Sequence, residues 1–103
     1  MSAATMAAQA ATLKCLAGIA VSYPNLPGAY FTASSVVPNE LSVQLDSPSK
    51  VEAWRVALNV PVEKVFMDRI GDQLSLEFRA TAYRVAFHVY AVYDAATVEA
   101  GAA

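Results

Sequence analysis

The chain has 103 residues, of which 56% are hydrophobic, and its seven basic and nine acidic residues give a net charge of −2. This length predicts a single domain over residues 1–103, and the high apolar content excludes an intrinsically disordered chain. The basic residues are scattered, whereas a nucleic-acid-binding protein gains most of its affinity from a concentrated cationic face. We therefore do not expect a nucleic-acid partner.

Cysteine content and the length of apolar runs narrow the class of protein further. Cys15 is the sole cysteine, which excludes an intramolecular disulfide and a zinc site built on thiolates. The apolar run "CLAGIAVSY" is far shorter than the roughly 20 residues that cross a bilayer, and the residues before it lack the basic start of a signal peptide. We expect a cytoplasmic protein without membrane contact, metal or cofactor.

The N-terminal segment from Ser2 to Pro24 is predicted to be a helix, because alanine dominates it and loses the least entropy on becoming helical. Ser2 or Thr5 could cap its start, and Pro24 ends it. We expect residues 1–4 and 95–103 to be frayed. Apolar residues recur at spacings of three and four, which predicts a buried stripe. Its members are Met6, Ala10, Leu13, Ala17 and Ala20, flanked by Leu16 and Ile19, with Gln9 and Lys14 outside it.

Two short strands are predicted after the turn-rich connector "PNLPG". The segment "AYFTAS" alternates apolar and polar residues, as a half-buried strand does. The segment "ELSVQL" alternates more clearly and should place Leu41, Val43 and Leu45 in the core.

The segment "DSPSKVEAWRVALN" predicts an amphipathic helix with Val51, Trp54 and Leu58 on its buried side. Two N-terminal caps are possible for this helix. Ser47 could be the N-cap with Pro48 at the first helical position, or Ser49 and Glu52 could form a capping box.

Three further strands are predicted after this helix. The segment "VEKVFMDRI" has apolar residues of both parities, which suits a strand covered on both faces. "GD" at 71–72 is a hairpin signal. Apolar residues then occupy even positions from Leu74 and odd positions from Tyr83, which requires either a turn near Ala80–Ala82 or a bulge in one long strand. We favour the hairpin because an 18-residue strand exceeds the usual length.

The element order α-β-β-α-β-β-β predicts an α+β fold, in which two helices pack on one face of a mostly antiparallel sheet of about five strands.

The segments "YPNLPGAY" and "ELSVQLDSPSKVEAWRVALNV", with "YRVAFHVYAVYD" near the end, resemble small uncharacterised proteins of actinobacteria and of their phages and mobile elements. The resemblance covers residues 12–94. It implies an accessory protein of a phage or mobile element and implies no activity.

Catalytic constellations are missing from the sequence. No serine lies in a G-x-S-x-G context and no glycine-rich loop could hold a phosphate, so we expect a protein that is not an enzyme. His88 shares the even side of the last strand with Arg84, but at 3.3 Å per residue the two lie about 13 Å apart. A functional histidine would need a carboxylate from elsewhere, such as Glu77 or Asp68.

The functional prediction depends instead on the apolar character of the last predicted strand. Its segment "VAFHVYAVY" has no charged residue, and two helices can cover only one face of the sheet. Exposed aromatic surface marks partner sites, which predicts a non-enzymatic interaction module, a regulatory or accessory protein that self-associates as a homodimer or binds another protein through this strand. The residues expected to bind are Arg84, His88, Tyr90, Val92 and Tyr93. The alternative is a small-ligand-binding protein or minor enzyme with a pocket around His88, Arg84 and Tyr90.

Overall fold

A computed structural model of the chain describes residues 5–94 and shows two helices on one face of a five-stranded sheet. The predicted α+β class and element order are confirmed. The segments expected to fray, 1–4 and 95–103, lie outside the described residues. The helices are α1 (Met6–Ser22) and α2 (Pro48–Ala57), and the strands are β1 (Tyr30–Ala33), β2 (Glu40–Leu45), β3 (Phe66–Ile70), β4 (Gln73–Ala82) and β5 (Val85–Asp94).

The sheet has the strand order β1-β2-β5-β4-β3. β2 and β5 run parallel, and the other three pairs are antiparallel. The last strand therefore lies in the middle of the sheet and forms ladders along both of its edges. Only its two faces remain for contact with anything else.

One face of the sheet forms the core beneath the helices. The odd positions of β5 are buried there, and they meet Leu41, Val43 and Leu45 of β2, as predicted. Phe78 of β4 lies opposite Val89 and is also fully buried. The alternation of β5 explains this burial, because successive side chains of a strand point to opposite faces. The buried β5 side chains are Val85, Phe87, Val89, Ala91 and Tyr93.

The predicted hairpin between β4 and β5 is confirmed, but its predicted turn near Ala80–Ala82 is wrong. Ala82 pairs with Val85, so the loop consists of Tyr83 and Arg84 alone. Their φ angles are 55° and 63°, the left-handed pattern of a type I′ turn, which asparagine and glycine normally supply. Across a two-residue loop, each even position of β4 pairs with an odd position of β5, and paired residues point to the same face of the sheet. The apolar residues that face the core are therefore even in β4 and odd in β5, which explains the change of phase.

The third strand is shorter and more exposed than predicted. Residues Val62–Lys64 form a 3₁₀ turn after Pro61, and β3 begins only at Phe66. All of its side chains are exposed because it is an edge strand that the helices do not cover. The hairpin predicted at Gly71 and Asp72 is confirmed, with Gly71 in the left-handed region at φ 62°.

The predicted buried stripe of α1 is wrong in its five main members, none of which is buried, but its flanking residues are placed correctly: Ile19 is buried in the core and Leu16 packs against it. Thr5 caps the helix as predicted, since its side chain accepts a hydrogen bond from the Ala8 amide. The helix, however, buries Thr12 and Ile19, and Met6 is exposed. Two long-range hydrogen bonds set this orientation. Thr12 donates to the Pro38 carbonyl at 2.6 Å, and the Gln9 amide donates to the Ser34 carbonyl at 2.8 Å.

The second helix matches its prediction closely. Ser47 is the N-cap and Pro48 the first helical residue, although the Ser47 side chain makes no capping hydrogen bond. Val51 and Trp54 are buried, and the Trp54 indole donates to the Pro27 carbonyl at 2.9 Å. Asn59, at φ 56°, ends the helix in a Schellman motif, with the Val60 amide bonded to the Arg55 carbonyl.

Candidate functional site

The sheet face opposite the helices is open and carries a mixture of polar and aromatic side chains. The strand register places them in rows that cross the sheet. One row crosses all five strands, and the next crosses four. The first row is Tyr30, Gln44, Tyr90, Glu77 and Phe66, and the second is Thr32, Ser42, His88 and Arg79.

A hydrogen-bonded chain of three side chains lies at the centre of this open face. Glu77 Oε1 is 2.8 Å from His88 Nε2, and the Ser75 hydroxyl donates to Glu77 Oε2 at 2.8 Å. The side chains of Glu77 and His88 are only 16% and 24% exposed. The pair is therefore partly shielded from solvent, and its geometry is held by neighbouring strands.

The environment of Glu77 fixes its ionisation. Burial acts to raise the pKa of Glu77, but the hydrogen bonds from His88 and Ser75 and the charges of His88 and Arg79 outweigh it, so that the pKa lies below its ordinary value. An ionised carboxylate can only accept hydrogen bonds. His88 must therefore donate from Nε2, which leaves Nδ1 as a hydrogen-bond acceptor whenever the ring is neutral.

Tyr90 supports the histidine from the same strand. Its ring stacks on His88, with centroids 4.8 Å apart and an interplanar angle of 23°. Its hydroxyl reaches Gln44 Oε1 at 3.4 Å, a long contact. Tyr90 thus limits the rotation of the imidazole.

A shallow polar depression of about 440 Å³ lies on the open face beside the hydrogen-bonded side chains of Glu77 and His88. Its floor is Ala86, which stands between Glu40 and Thr81 in the register. The small side chain of alanine creates the hollow between longer neighbours. The side chains that surround it are Glu40, Ser42, Arg79, Thr81 and His88.

The residues predicted to bind do not all come together. His88, Tyr90 and Val92 share the open face. Arg84 lies in the turn between β4 and β5, and Tyr93 lies on the opposite face, in the core. The structure does bring Glu77 to His88, one of the two carboxylates that the sequence offered as a partner.

Sequence reasoning missed Arg79, Ser42 and Glu40. Arg79 belongs to the polar odd positions of β4, and that alternation was visible in the sequence. Its partner opposite, His88, could not be identified without the position of the turn.

The described residues include side chains of the types that bind metal ions, and a single thiol in a defined environment. Residues 5–94 contain no group of three His, Cys, Asp or Glu side chains placed to hold a metal ion. Cys15 is half-buried, and burial raises the pKa of its thiol. The thiol is therefore protonated near neutral pH, whereas the nucleophilic form is the thiolate.

A second candidate surface lies on the helix side of the sheet, along the outside of α1. We call Met6, Ala10, Leu13, Ala17 and Ala20 the outer stripe, because Ala10 is half-buried and the other four are exposed. Met6 is 71% exposed and Leu13 is 39% exposed. An apolar groove of about 370 Å³ continues the stripe toward β1 and is lined by Leu13, Ala17, Ala20, Tyr23, Leu26 and Phe31, among others.

Comparison with protein-family models, with curated proteins and with solved structures finds no match for this chain. The resemblance to small proteins of actinobacteria and their phages stays a prediction. None of the helices in residues 5–94 is both long enough and apolar enough to cross a membrane.

Proposed function

We propose that this chain is a non-enzymatic protein-interaction module, a small regulatory or accessory protein that self-associates as a homodimer through the outer stripe of α1. The observation that carries the proposal is the exposure of apolar side chains on a helix with almost no charge. Lys14 is the sole charged residue in α1, while Met6 and Leu13 meet solvent. A surface helix normally presents charged or polar residues to water.

The spacing of the outer stripe fits a second helix. Its members follow one another at alternating intervals of four and three residues, as the apolar positions of a heptad do. Three of the five are alanines, which allow helix axes to approach to about 8 Å, the lower end of the usual range. The α1 helices of two copies could therefore pack along this stripe, and the groove beside it could receive a larger side chain such as Met6 of the partner.

The C-terminal strand, where the sequence placed the interface, offers a smaller surface. Both edges of β5 are paired, and its odd side chains lie in the core. Its even face is half-buried, and His88 there already binds Glu77. The open face of the sheet is therefore the competing surface for self-association. Tyr30 lies in the same row of this face as Tyr90 and is 79% exposed, so a substitution of Tyr30 tests that surface.

Analytical ultracentrifugation of the full chain tests the proposal. We expect a dimer at concentrations of about 100 µM, with a Kd in the micromolar range that is common for modest interfaces. Ala17→Glu should weaken dimerisation by about tenfold or more, because it places a charge in the helix contact. Ala11→Glu is the matched control, since Ala11 is exposed on the same helix but outside the outer stripe.

Two results would contradict the proposal. A wild-type chain that stays monomeric at 100 µM, about the concentration at which weak dimers form, argues against self-association. A dimer that is lost with Tyr30→Glu and unaffected by Ala17→Glu moves the interface to the open sheet face.

The proposal includes a cytoplasmic location. A half-buried free thiol such as Cys15 is typical of a reducing compartment. Fractionation of the native host tests this location directly.

A further inference from the structure

The polar depression over Ala86 lies on the opposite side of the sheet from α1, and its charges are arranged in two separate places. Arg79 stands on β4 at one end, and Glu40 stands on β2 at the other. Among residues 5–94, neither side chain forms an ion pair within 4.0 Å. Arg79 acts on Glu77 through its charge, but no carboxylate of the described residues holds its guanidinium in an ion pair, so the depression presents a guanidinium and a carboxylate that a ligand can pair with.

The separation of the two charges follows from the register. Glu40 is level with Ala86 and Thr81, while Arg79 is level with His88, two residues further along β5. Glu40 and Arg79 are two strand spacings apart across the sheet and two residues apart along the strands. Their Cα atoms are therefore about 12 Å apart. Both side chains can lean toward the hollow, which leaves a gap of several ångströms between the charged groups.

Uncharged polar groups lie between these two ends. The hydroxyls of Ser42 and Thr81 line the depression, and neither forms a side-chain hydrogen bond with another described residue. His88 also lines the depression, and Nδ1 is the ring nitrogen that Glu77 leaves open, since Glu77 holds Nε2. A ligand with a carboxylate at one end and an ammonium group at the other would find a partner for each polar atom.

We propose that this depression binds a small zwitterion of the amino-acid or short-peptide class, with its carboxylate on Arg79 and its ammonium group on Glu40. A simple anion is a poorer fit, since Glu40 and the ionised Glu77 both repel it. A simple cation can pair with Glu40, but it leaves the guanidinium of Arg79 unpaired and is repelled by it. A zwitterion has no net charge and satisfies both ends at once.

Titration of the isotope-labelled full chain by NMR tests the assignment with three compounds of similar size: 6-aminohexanoate, hexanoate and hexylamine. The last two each lack one charged group of the first. We expect 6-aminohexanoate to give saturable shifts at the amides of Ser42, Thr81 and His88, with a Kd of about 1 mM or lower. Hexanoate and hexylamine should bind at this depression about tenfold more weakly, as judged from the shifts of the same amides. Equal binding of all three compounds overturns the proposal, as does the absence of saturation at about 10 mM 6-aminohexanoate.

Matched substitutions test which side chains hold the two charges. Arg79→Gln and Glu40→Gln should each weaken the binding of 6-aminohexanoate about fivefold or more. Arg69→Gln, on the exposed edge strand β3, and Glu63→Gln, in the 3₁₀ turn, should leave it unchanged. Loss of binding with the two control variants, or full binding with Arg79→Gln, contradicts the assignment.

The outcome is separable from the proposed dimerisation. The Ala17→Glu variant changes only the far side of the sheet, so it should bind 6-aminohexanoate as the wild type does. Shifts confined to Leu13, Tyr23 and Phe31 would mean that the probe occupies the apolar groove instead, and this result overturns the zwitterion site.

Discussion

Glu77 Oε1 and His88 Nε2 lie 2.8 Å apart across the central pair of strands, on the face that the helices leave open. Glu77 is opposite Tyr90 in the register, so it reaches His88 diagonally. The same carboxylate accepts a hydrogen bond from Ser75. Both of its oxygens are therefore occupied, which explains how a charge can stand on a largely buried part of the sheet surface.

Glu77→Gln should lower the free energy of unfolding at pH 7 by about 1–2 kcal/mol, because it replaces two hydrogen bonds to a charged acceptor with weaker ones. The folded-state pKa of Glu77 is lowered. Its contribution is therefore present above the unfolded-state pKa of about 4.3 and is lost as the pH falls through the folded-state value.

Urea unfolding followed by circular dichroism at pH 7 and pH 3 measures this change, at values on either side of the unfolded-state pKa of about 4.3. The stability difference between wild type and Glu77→Gln should narrow at the lower pH. Glu63→Gln, at an exposed carboxylate, serves as the control and should show a small difference at both pH values. A Glu77→Gln difference that does not change with pH would rule out the assigned role.

The turn of Tyr83 and Arg84 stores conformational strain that glycine would relieve. A left-handed conformation costs a non-glycine residue about 1–2 kcal/mol, and glycine gives back part of this through its larger unfolded-state entropy. Arg84→Gly should therefore raise the free energy of unfolding by about 0.5–1 kcal/mol.

Arg69→Gly is the matched comparison for the turn, because Arg69 is exposed in the regular strand β3. There the same replacement should lower stability by about 0.5–1 kcal/mol. Chemical denaturation of the two variants gives both values, and two changes of the same sign would refute the role of the turn.

Thr12 anchors α1 through its hydroxyl rather than through its apolar part. Thr12→Val keeps the shape but leaves the half-buried Pro38 carbonyl without its 2.6 Å donor, so we expect a loss of about 1–2 kcal/mol. Thr12→Ser keeps the hydroxyl and should cost about 0.8 kcal/mol for the missing methyl group.

Amide hydrogen exchange along α1 reports on this anchor separately from global stability. Exchange should accelerate more in Thr12→Val than in Thr12→Ser. The reverse order would show that packing of the methyl group, and not the hydrogen bond, holds the helix.

Trp54 connects α2 to the loop after α1. Its indole N–H donates to the Pro27 carbonyl at 2.9 Å, and its ring lies 5.9 Å from that of Phe31. Trp54→Phe removes the donor and should lower the free energy of unfolding by about 1–3 kcal/mol.

Phe31→Leu provides the comparison for Trp54, since it removes the aromatic contact and keeps the indole hydrogen bond. Its cost should be about 0.5–1.5 kcal/mol. Denaturation monitored by far-ultraviolet circular dichroism ranks the two variants, and a larger effect for Phe31→Leu would contradict the importance of the hydrogen bond.

The sequence predicted α2 and β2 well because each has a single strong period. Charged residues such as Glu52 and Arg55 leave only one apolar side on α2, and Val51 and Trp54 are buried on it. In α1 the alanines offer several stripes of nearly equal hydrophobicity. The orientation was decided by hydrogen bonds from Gln9 and Thr12 to carbonyls 25 and 26 residues away, which no periodicity reveals.

The candidate site was predicted in part for a similar reason. His88 was singled out, and Glu77 was one of two carboxylates offered as its partner. The register of β4 against β5 depended on a turn formed by two residues that rarely adopt left-handed backbone, Tyr83 and Arg84. A turn three residues earlier would end β4 near Arg79 and would change the pairing of the two strands. The position of Arg79 opposite His88 could therefore not be predicted from the sequence.

The parallel pairing of β2 with β5 has a consequence for synthesis on the ribosome. Until β5 emerges, the β1–β2 hairpin and the β3–β4 hairpin share no ladder, since β5 forms the seam to both. A nascent chain halted before Val85 would hold two separate hairpins with uncovered apolar sides, the kind of species that chaperones bind. Closure of the sheet is thus a late event that waits for nearly the whole described chain, and residues far apart in sequence must meet before it can occur.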